Sequence, residues 1–403
     1  MSYAWAITTL FGLYFVGTII SHVTKGTIGS ALFATFAMLF AYNLNILPKD
    51  VVPAADLAGM YALLNLTILI HVGSSFDVKK LKNDWRLVVS VLAGIVGMAI
   101  TIVGIGSVLF GQELSVMSFP TLVGGAIATN LMTQTATEKG LMELAAIVVL
   151  VNSVQSWVGM PLISYGVKKE ANRLLAAYRE TGKAVSANRF ASVGATGAEE
   201  GNVKPTIFDR ILPKPCHNMY FYMFLACFYG AVASAIAVYT SSLTGGIVGA
   251  ALVGMFLGCL LTQVGLLPKE PLAKAGMLNF MMFVLIMTMR GSLASLSLST
   301  LVQYLVPIVG LVALGAVGML VLVIPLGKKL GYATGMCFAF GMGCYCGYPG
   351  NYQIANEVID VLARTEEENK YLKDEILTRV VEGSVVSVSI TSVVLAGFFI
   401  SLI

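Results

Sequence analysis

Two stretches of this chain place glycine and neutral oxygen-bearing side chains inside otherwise apolar sequence. The first, residues 115–140, carries Gly124, Gly125, Thr129, Asn130, Thr133, Gln134 and Thr135. The second, residues 331–361, carries Gly341, Gly343, Gly347, Gly350, Asn351 and Asn356. Glycine permits a tight turn and close backbone approach. A helix broken at such a turn frees carbonyls that suit a cation and amides that suit an anionic group. Hydroxyl and amide oxygens are neutral ligands for a hard monovalent ion and also hydrogen-bond a carboxylate.

These chemistries divide the candidates. Gly124, Gly125, Thr135, Asn152, Gly347 and Ser387 are the expected oxygen ligands of a sodium ion. Thr129, Asn130, Thr133, Gln134, Gly350, Asn351 and Asn356 are the expected contacts of a small anionic solute, with Arg290 as partner for its carboxylate. Polar residues on two further apolar runs extend the set, namely Asn152, Ser153 and Gln155 on one and Ser384, Ser387, Ser389, Thr391 and Ser392 on the other. A competing reading makes small residues a device for close helix packing, which suits Gly29, Gly249 and Gly254. Arg290 has an alternative as a cation reaching the membrane interface, and His71 as a proton carrier or a headgroup contact.

Several chemistries find no support. No pair of Asp residues falls in mid-membrane sequence, which argues against a carrier of the paired-carboxylate sodium–proton type. There is no G-x-x-x-x-G-K-[ST] loop for a nucleotide and no H-E-x-x-H cluster. Cys337, Cys344 and Cys346 lack a nearby His and read as small buried filler. Glu143 and Glu382 fall at the expected starts of spans, where helix dipoles favour them. No organic cofactor, nucleic-acid partner or enzymatic activity is expected.

The elements that must position these residues are membrane spans. With 403 residues, 57% hydrophobic and 11% charged, and a mean hydropathy of +0.84, the chain is far from the roughly 25% charge of soluble domains. Apolar runs long enough to cross the bilayer fall near 3–20, 27–46, 55–73, 87–110 and 141–165, and again near 218–240, 246–266, 276–290, 300–326 and 381–402. The distribution of Lys and Arg arbitrates the two glycine-rich stretches. If both are re-entrant hairpins and the termini lie outside, 22 of the 25 basic residues face the cytoplasm, leaving Lys49, Lys139 and Arg290 outside. If both cross the membrane, the best division is 14 against 11. The fold expected is therefore an all-α polytopic membrane protein of two inverted repeats, each with five spans and one hairpin. The first repeat takes residues 1–166 and the second 218–403. A mobile cytoplasmic linker, 167–217, helical near Glu170–Thr181, joins them, and an amphipathic arm follows the second hairpin over Asn356–Glu382.

A sequence repeat supports that division. Residues 24–50 and 244–270 align without a gap at 9 identities in 27 positions, ending in Leu47-Pro48-Lys49-Asp50 and Leu267-Pro268-Lys269-Glu270. The echo continues through Ala58-Gly59-Met60 against Ala275-Gly276-Met277, and Gly73-Ser74 against Gly291-Ser292. Internal duplication in a membrane protein marks secondary transporters, whose sites lie between the halves.

The layout, the Gly-Ser pair after each third span and the run Gly341–Asn356 with its Ile354-Ala355-Asn356 together resemble the bacterial glutamate:sodium symporter family. The resemblance implies sodium-coupled uptake of an anionic amino acid or related carboxylate across a bacterial inner membrane. It also implies an elevator-like movement against a homodimeric scaffold. The first hairpin departs from that family's pattern, with Gly-Gly-Ala-Ile-Ala-Thr-Asn-Leu-Met-Thr-Gln from Gly124 on, which leaves the substrate open. Two alternatives stand beside it. One is a proton-coupled carrier or exporter of a small organic anion on the same fold, needing His71 or Glu382. The other is a passive channel or membrane sensor.

Overall fold

The computed structural model describes residues 2–23, 30–75, 82–190, 206–244, 250–347 and 350–400, all helical apart from short connections. Gly29, Gly249, Lys25, Lys79 and Lys80 lie outside these residues, as do the starts of both repeat segments and the linker from 191 to 205.

The first half holds α1 (Tyr3–Val23), α2 (Ser30–Asn43), α3 (Val51–Ala54), α4 (Leu57–Ser74), α5 (Trp85–Ala99), α6 (Gln112–Glu138) and α7 (Met142–Thr181). The second holds α8 (Met219–Thr244), α9 (Ala250–Val264), α10 (Pro271–Lys274), α11 (Leu278–Arg290) and α12 (Leu298–Lys329). It continues with α13 (Thr334–Gly341), α14 (Gly343–Cys346), α15 (Gly350–Leu362), α16 (Glu366–Leu372), α17 (Thr378–Val385) and α18 (Ser392–Ile400). Seven described helices are long and apolar enough to cross a membrane, and Phe33–Asn43 and Leu252–Val264 are shorter apolar helices. The chain is a multi-pass membrane protein.

The sequence repeat is also a backbone repeat. Six hydrogen bonds recur at a spacing of 220 residues. Ile46 and Leu47 both donate to the Ala41 carbonyl, as Leu266 and Leu267 do to Leu261, and Asn45 donates to Tyr42 as Gly265 does to Thr262. Asp50, Val51 and Pro53 accept from Ala54, Ala55 and Asp56, and Glu270, Pro271 and Ala273 accept from Lys274, Ala275 and Gly276. Asn45 and Gly265 both take positive φ, as do Asp56 and Gly276. Gly276 is therefore the counterpart of Asp56, and the Ala-Gly-Met echo is shifted from the structural register. Each third span also ends on the other half's repeat segment. Ser74 accepts from the Glu270 amide at 3.1 Å, and Gly291 packs on Val52.

Helix α7 is the frame for everything that follows. Gly166 packs on the backbone of Gly335 and Ala339, and Gly159 on Tyr345, so α13 and α14 descend antiparallel to α7. After Gly347 (φ 66°) the chain reverses. Arg179 near the end of α7 pairs with Glu368 at 2.7 Å, and Tyr178 stacks on Tyr371. The stretch 334–371 thus leaves the end of α7 near residue 170, turns beside residues 156–159 and returns to residue 179.

Helix α6 is interrupted by one non-helical residue, Gly125 (φ 56°, ψ −142°). Met117 shares a small apolar cluster with Met132, Ala136, Ala145 and Val148, whereas a straight helix would hold 117 and 132 about 22 Å apart. The chain doubles back at Gly125. Within α6 83% of the best apolar window is buried, against 17% in α1, so α6 is an interior element and α1 a peripheral one.

Helices α16, α17 and α18 run on continuously through two π-helical turns, Lys373–Leu377 and Val386–Thr391. Glu382 therefore sits in mid-helix and not at the start of a span. The segment just after Thr181, residues 182–190, is docked against the second half. Ala187 N–H and Ser186 Oγ donate to Glu375 at 2.8 and 2.9 Å, and Arg189 N–H donates to the Gly331 carbonyl at 3.0 Å.

Candidate functional site

The two chain reversals meet on one level of α7. Ser156 Oγ lies 3.5 Å from the Tyr345 carbonyl, just before the Gly347 break, and α14 packs against α6. Tyr345 is pinned from behind by its hydroxyl, which donates to the Val312 carbonyl at 2.6 Å. The α17–α18 helix passes both reversals. Ser384 accepts from Asn351, and Ser392 fits against Gly124, where an added Cβ would sit 2.2 Å from the serine Cβ.

Asn351 is fully buried. Its Nδ2 donates to the Gly343 carbonyl at 2.6 Å and to Ser384 Oγ, closing the reversal across Gly347. Its Oδ1 has no partner among the described residues, although it is shut away from solvent. Gln155 is buried in the same way, its Nε2 on Asn152 Oδ1 at 3.1 Å and its Oε1 unpartnered. Thr133 Oγ1 is a third buried oxygen with no partner. Such acceptors cost free energy unless a ligand or ion satisfies them. Asn351 and Gln155 stand beside the second glycine break, where carbonyls of one segment and amides of the next are left without intrahelical partners. Thr133 stands farther along the returning arm of α6.

The remaining candidates are distributed as follows. Asn130 is buried, Gln134 is half-buried, and both stand on the returning arm of α6. Thr129 and Thr135 bond back to the carbonyls of Gly125 and Leu131 at 2.7 and 3.0 Å, which occupies their hydroxyl protons. Ser387 bonds back to Gly383 at 3.1 Å, and Gly350 opens α15 directly after the break. Asn356 stands apart from the reversals: its Nδ2 donates to Asp360 at 2.9 Å, in a surface group with Asn369 and Lys373. Arg290 is also elsewhere. It is buried in the packed frame, its Nε on Thr35 Oγ1 at 2.9 Å and its Nη1 on the Ile286 carbonyl at 2.6 Å. Thr35 accepts in turn from Ser153 at 2.9 Å, so a threonine links Arg290 to α7. His71 is buried, and its Nδ1 accepts from the Leu272 amide at 3.4 Å. Ser384, as the partner of Asn351, and Gln155, as a buried acceptor, stood in the sequence only among the polar residues extending the set, with no ligand assigned to them. Their one visible signal was a polar residue in an apolar run.

No family model matches the chain, and no curated protein does. Among solved structures the chain is similar to the sodium proton antiporter MjNhaP1 from Methanocaldococcus jannaschii. That likeness has 16% identity and a TM-score of 0.44, and covers 100% of this chain and 99% of that one. The resemblance to glutamate:sodium symporters is corrected by these findings: no family match supports it, and the similar structure is a sodium proton antiporter. Glutamate and an elevator movement, which only that resemblance implied, are withdrawn with it. At this TM-score the likeness transfers no residue and no activity.

Proposed function

We propose that this protein is a secondary active transporter, and not an enzyme, that moves a small solute by alternating access coupled to a monovalent cation. The observation that carries this is the packing of two glycine-broken reversals against one another beside α7, with Asn351 Oδ1 and Gln155 Oε1 buried at the second of them without partners among the described residues. Irregular backbone at membrane depth is stable only where it is enclosed by protein or lines a polar cavity. Free carbonyl ends and neutral oxygens suit a sodium-sized ion, and the free amide ends at Ala126 and Gly350 suit an anionic group on the solute.

The architecture belongs to the proposal: two inverted repeats of five spans, each with a re-entrant hairpin. Its supports are the six recurring backbone hydrogen bonds and the direction of the two reversals along α7. The linker end of α7 faces the cytoplasm of a bacterial cell, since Lys and Arg concentrate there. A sodium gradient across proteoliposomes, with sodium replaced by choline as control, tests the coupling against a panel of labelled small carboxylates and amino acids. Sodium-dependent accumulation that Asn351→Ala abolishes in folded protein supports the proposal. Equilibration without accumulation for every solute would replace it with a channel.

One observation favours a second reading, proton coupling. Both carboxylate oxygens of Glu382 are buried within α17, where a lasting charge is costly. Uptake that persists in choline and is lost in Glu382→Gln would select it.

A further inference from the structure

We propose that Arg86 and Arg189, both held against the ring of Phe190, form a binding site for the headgroup of an anionic phospholipid in the leaflet at the linker end. The guanidinium carbon of Arg86 lies 4.9 Å from the Phe190 ring centroid, and that of Arg189 lies 4.6 Å from the same centroid. Arg86 also sits 5.7 Å from the Trp85 ring. Aromatic faces orient guanidinium groups without neutralising them. Among the described residues neither arginine has a carboxylate within 4 Å. The acidic residue beside them, Asp84, is turned inward to Tyr332 at 2.5 Å and towards Arg379 at 3.6 Å. Two positive charges are thus presented on a prepared platform.

That platform is anchored by backbone. Phe190 N–H donates to Asn188 Oδ1 at 2.9 Å, and Arg189 N–H donates to Gly331, whose positive φ (100°) and missing Cβ leave room for the Phe190 ring. A Cβ at Gly331 would stand 2.5 Å from that ring. Phe190 is nevertheless 54% exposed and Trp85 50% exposed, which soluble packing would not favour.

An apolar surface for the acyl chains lies beside the two arginines. Trp85, Val89, Leu92, Val96 and Ile100 are exposed at spacings of four, three, four and four, one apolar stripe running the length of α5. The stripe begins at the residue next to Arg86, so a lipid lying along α5 brings its phosphate to the two guanidiniums. Trp at a span's end marks the headgroup level, and basic residues there attract anionic lipids. Phe190 stands on the segment 182–190 that follows α7, so a bound lipid would also hold that segment in place.

The test uses the full chain in nanodiscs of phosphatidylcholine with and without phosphatidylglycerol, read by thermal unfolding and by native mass spectrometry of retained lipid. Wild type is expected to gain stability with phosphatidylglycerol and to retain it on ejection. Arg86→Gln/Arg189→Gln should bind it roughly thirtyfold more weakly, each basic group contributing a factor of about five. Lys183→Gln/Lys370→Gln, which removes the same charge at the same end, should behave as wild type. Phe190→Leu, a milder change that removes the aromatic platform, should weaken retention on its own. Equal retention by the arginine variant, equal loss in the lysine variant, or full stabilisation of wild type by inorganic phosphate alone would each overturn the proposal.

Discussion

Glu375 holds the linker to the second reversal, and its removal should be felt at a distance. Its carboxylate accepts from Arg379 Nη1 at 2.7 Å, Ser186 Oγ at 2.9 Å and the Ala187 amide at 2.8 Å, and both charged side chains are fully buried. Glu375→Gln keeps the shape and can keep an acceptor oxygen, but it takes the carboxylate charge out of all three bonds, leaving two neutral ones and the Arg379 guanidinium donating to an uncharged amide. Charged hydrogen bonds contribute about 1.5–3 kcal/mol and neutral ones about 0.5–1.5 kcal/mol, a loss of about 1 kcal/mol for each bond. The sum, about 3 kcal/mol, matches the cost of breaking a buried ion pair. Scaled by chain length, this lowers the unfolding midpoint by about 4 °C. The assay is thermal unfolding in detergent beside limited trypsin digestion at Lys183 and Arg189, which should be cut faster once residues 183–190 lift away. Glu367→Gln, on the exposed surface, should change neither. A Glu375→Gln midpoint within about 1 °C of wild type, with unchanged digestion, would refute the reasoning.

Other outcomes follow from the same geometry. Gly166→Ala places a Cβ 2.6 Å from the Ala339 nitrogen and 2.8 Å from the Gly335 oxygen, and backbone cannot yield, so it should destabilise by about 1–3 kcal/mol in a thermal melt. Gly12→Ala, with nothing within 4 Å, should be neutral or slightly stabilising in the same melt. Gly125→Ala meets no atom within 4 Å yet forces alanine into φ 56°, so any loss of sodium-dependent uptake there comes from backbone strain of about 1–3 kcal/mol. The Arg179 guanidinium holds the Glu368 carboxyl at about 2, below the ordinary 4.5. A depressed carboxylate stabilises the fold above its unfolded value and loses that contribution as pH falls through its folded one. The α7–α16 contact should therefore persist at pH 5 and weaken from about pH 4.5 towards 2, and Arg179→Gln should remove that dependence when unfolding is followed against pH.

What the sequence made legible was whatever depends on local pattern. The repeat at 220 residues became six matching hydrogen bonds, and the two glycine-rich stretches became the two places where the chain turns back. What it hid depends on which side of a helix meets which neighbour. Asn351 and Asn356 stand five residues apart on one helix, yet the first faces Ser384 and the second faces Asp360. Arg290 looked available because its span is short, but Thr35 and the Ile286 carbonyl, one distant in sequence, absorb it. The linker looked mobile from its composition. Its first residues are held by Glu375 and Gly331, partners more than 140 positions away, which no local signal announces.

The central claim is that the two reversals form a cation site on α7. The most direct measurement is equilibrium binding of radioactive sodium to the purified protein in nanodiscs, compared with Asn351→Leu and Gln155→Leu. Saturable binding in wild type that both folded variants lose is the result expected. No saturable binding in wild type, or binding that both variants keep, would contradict the account.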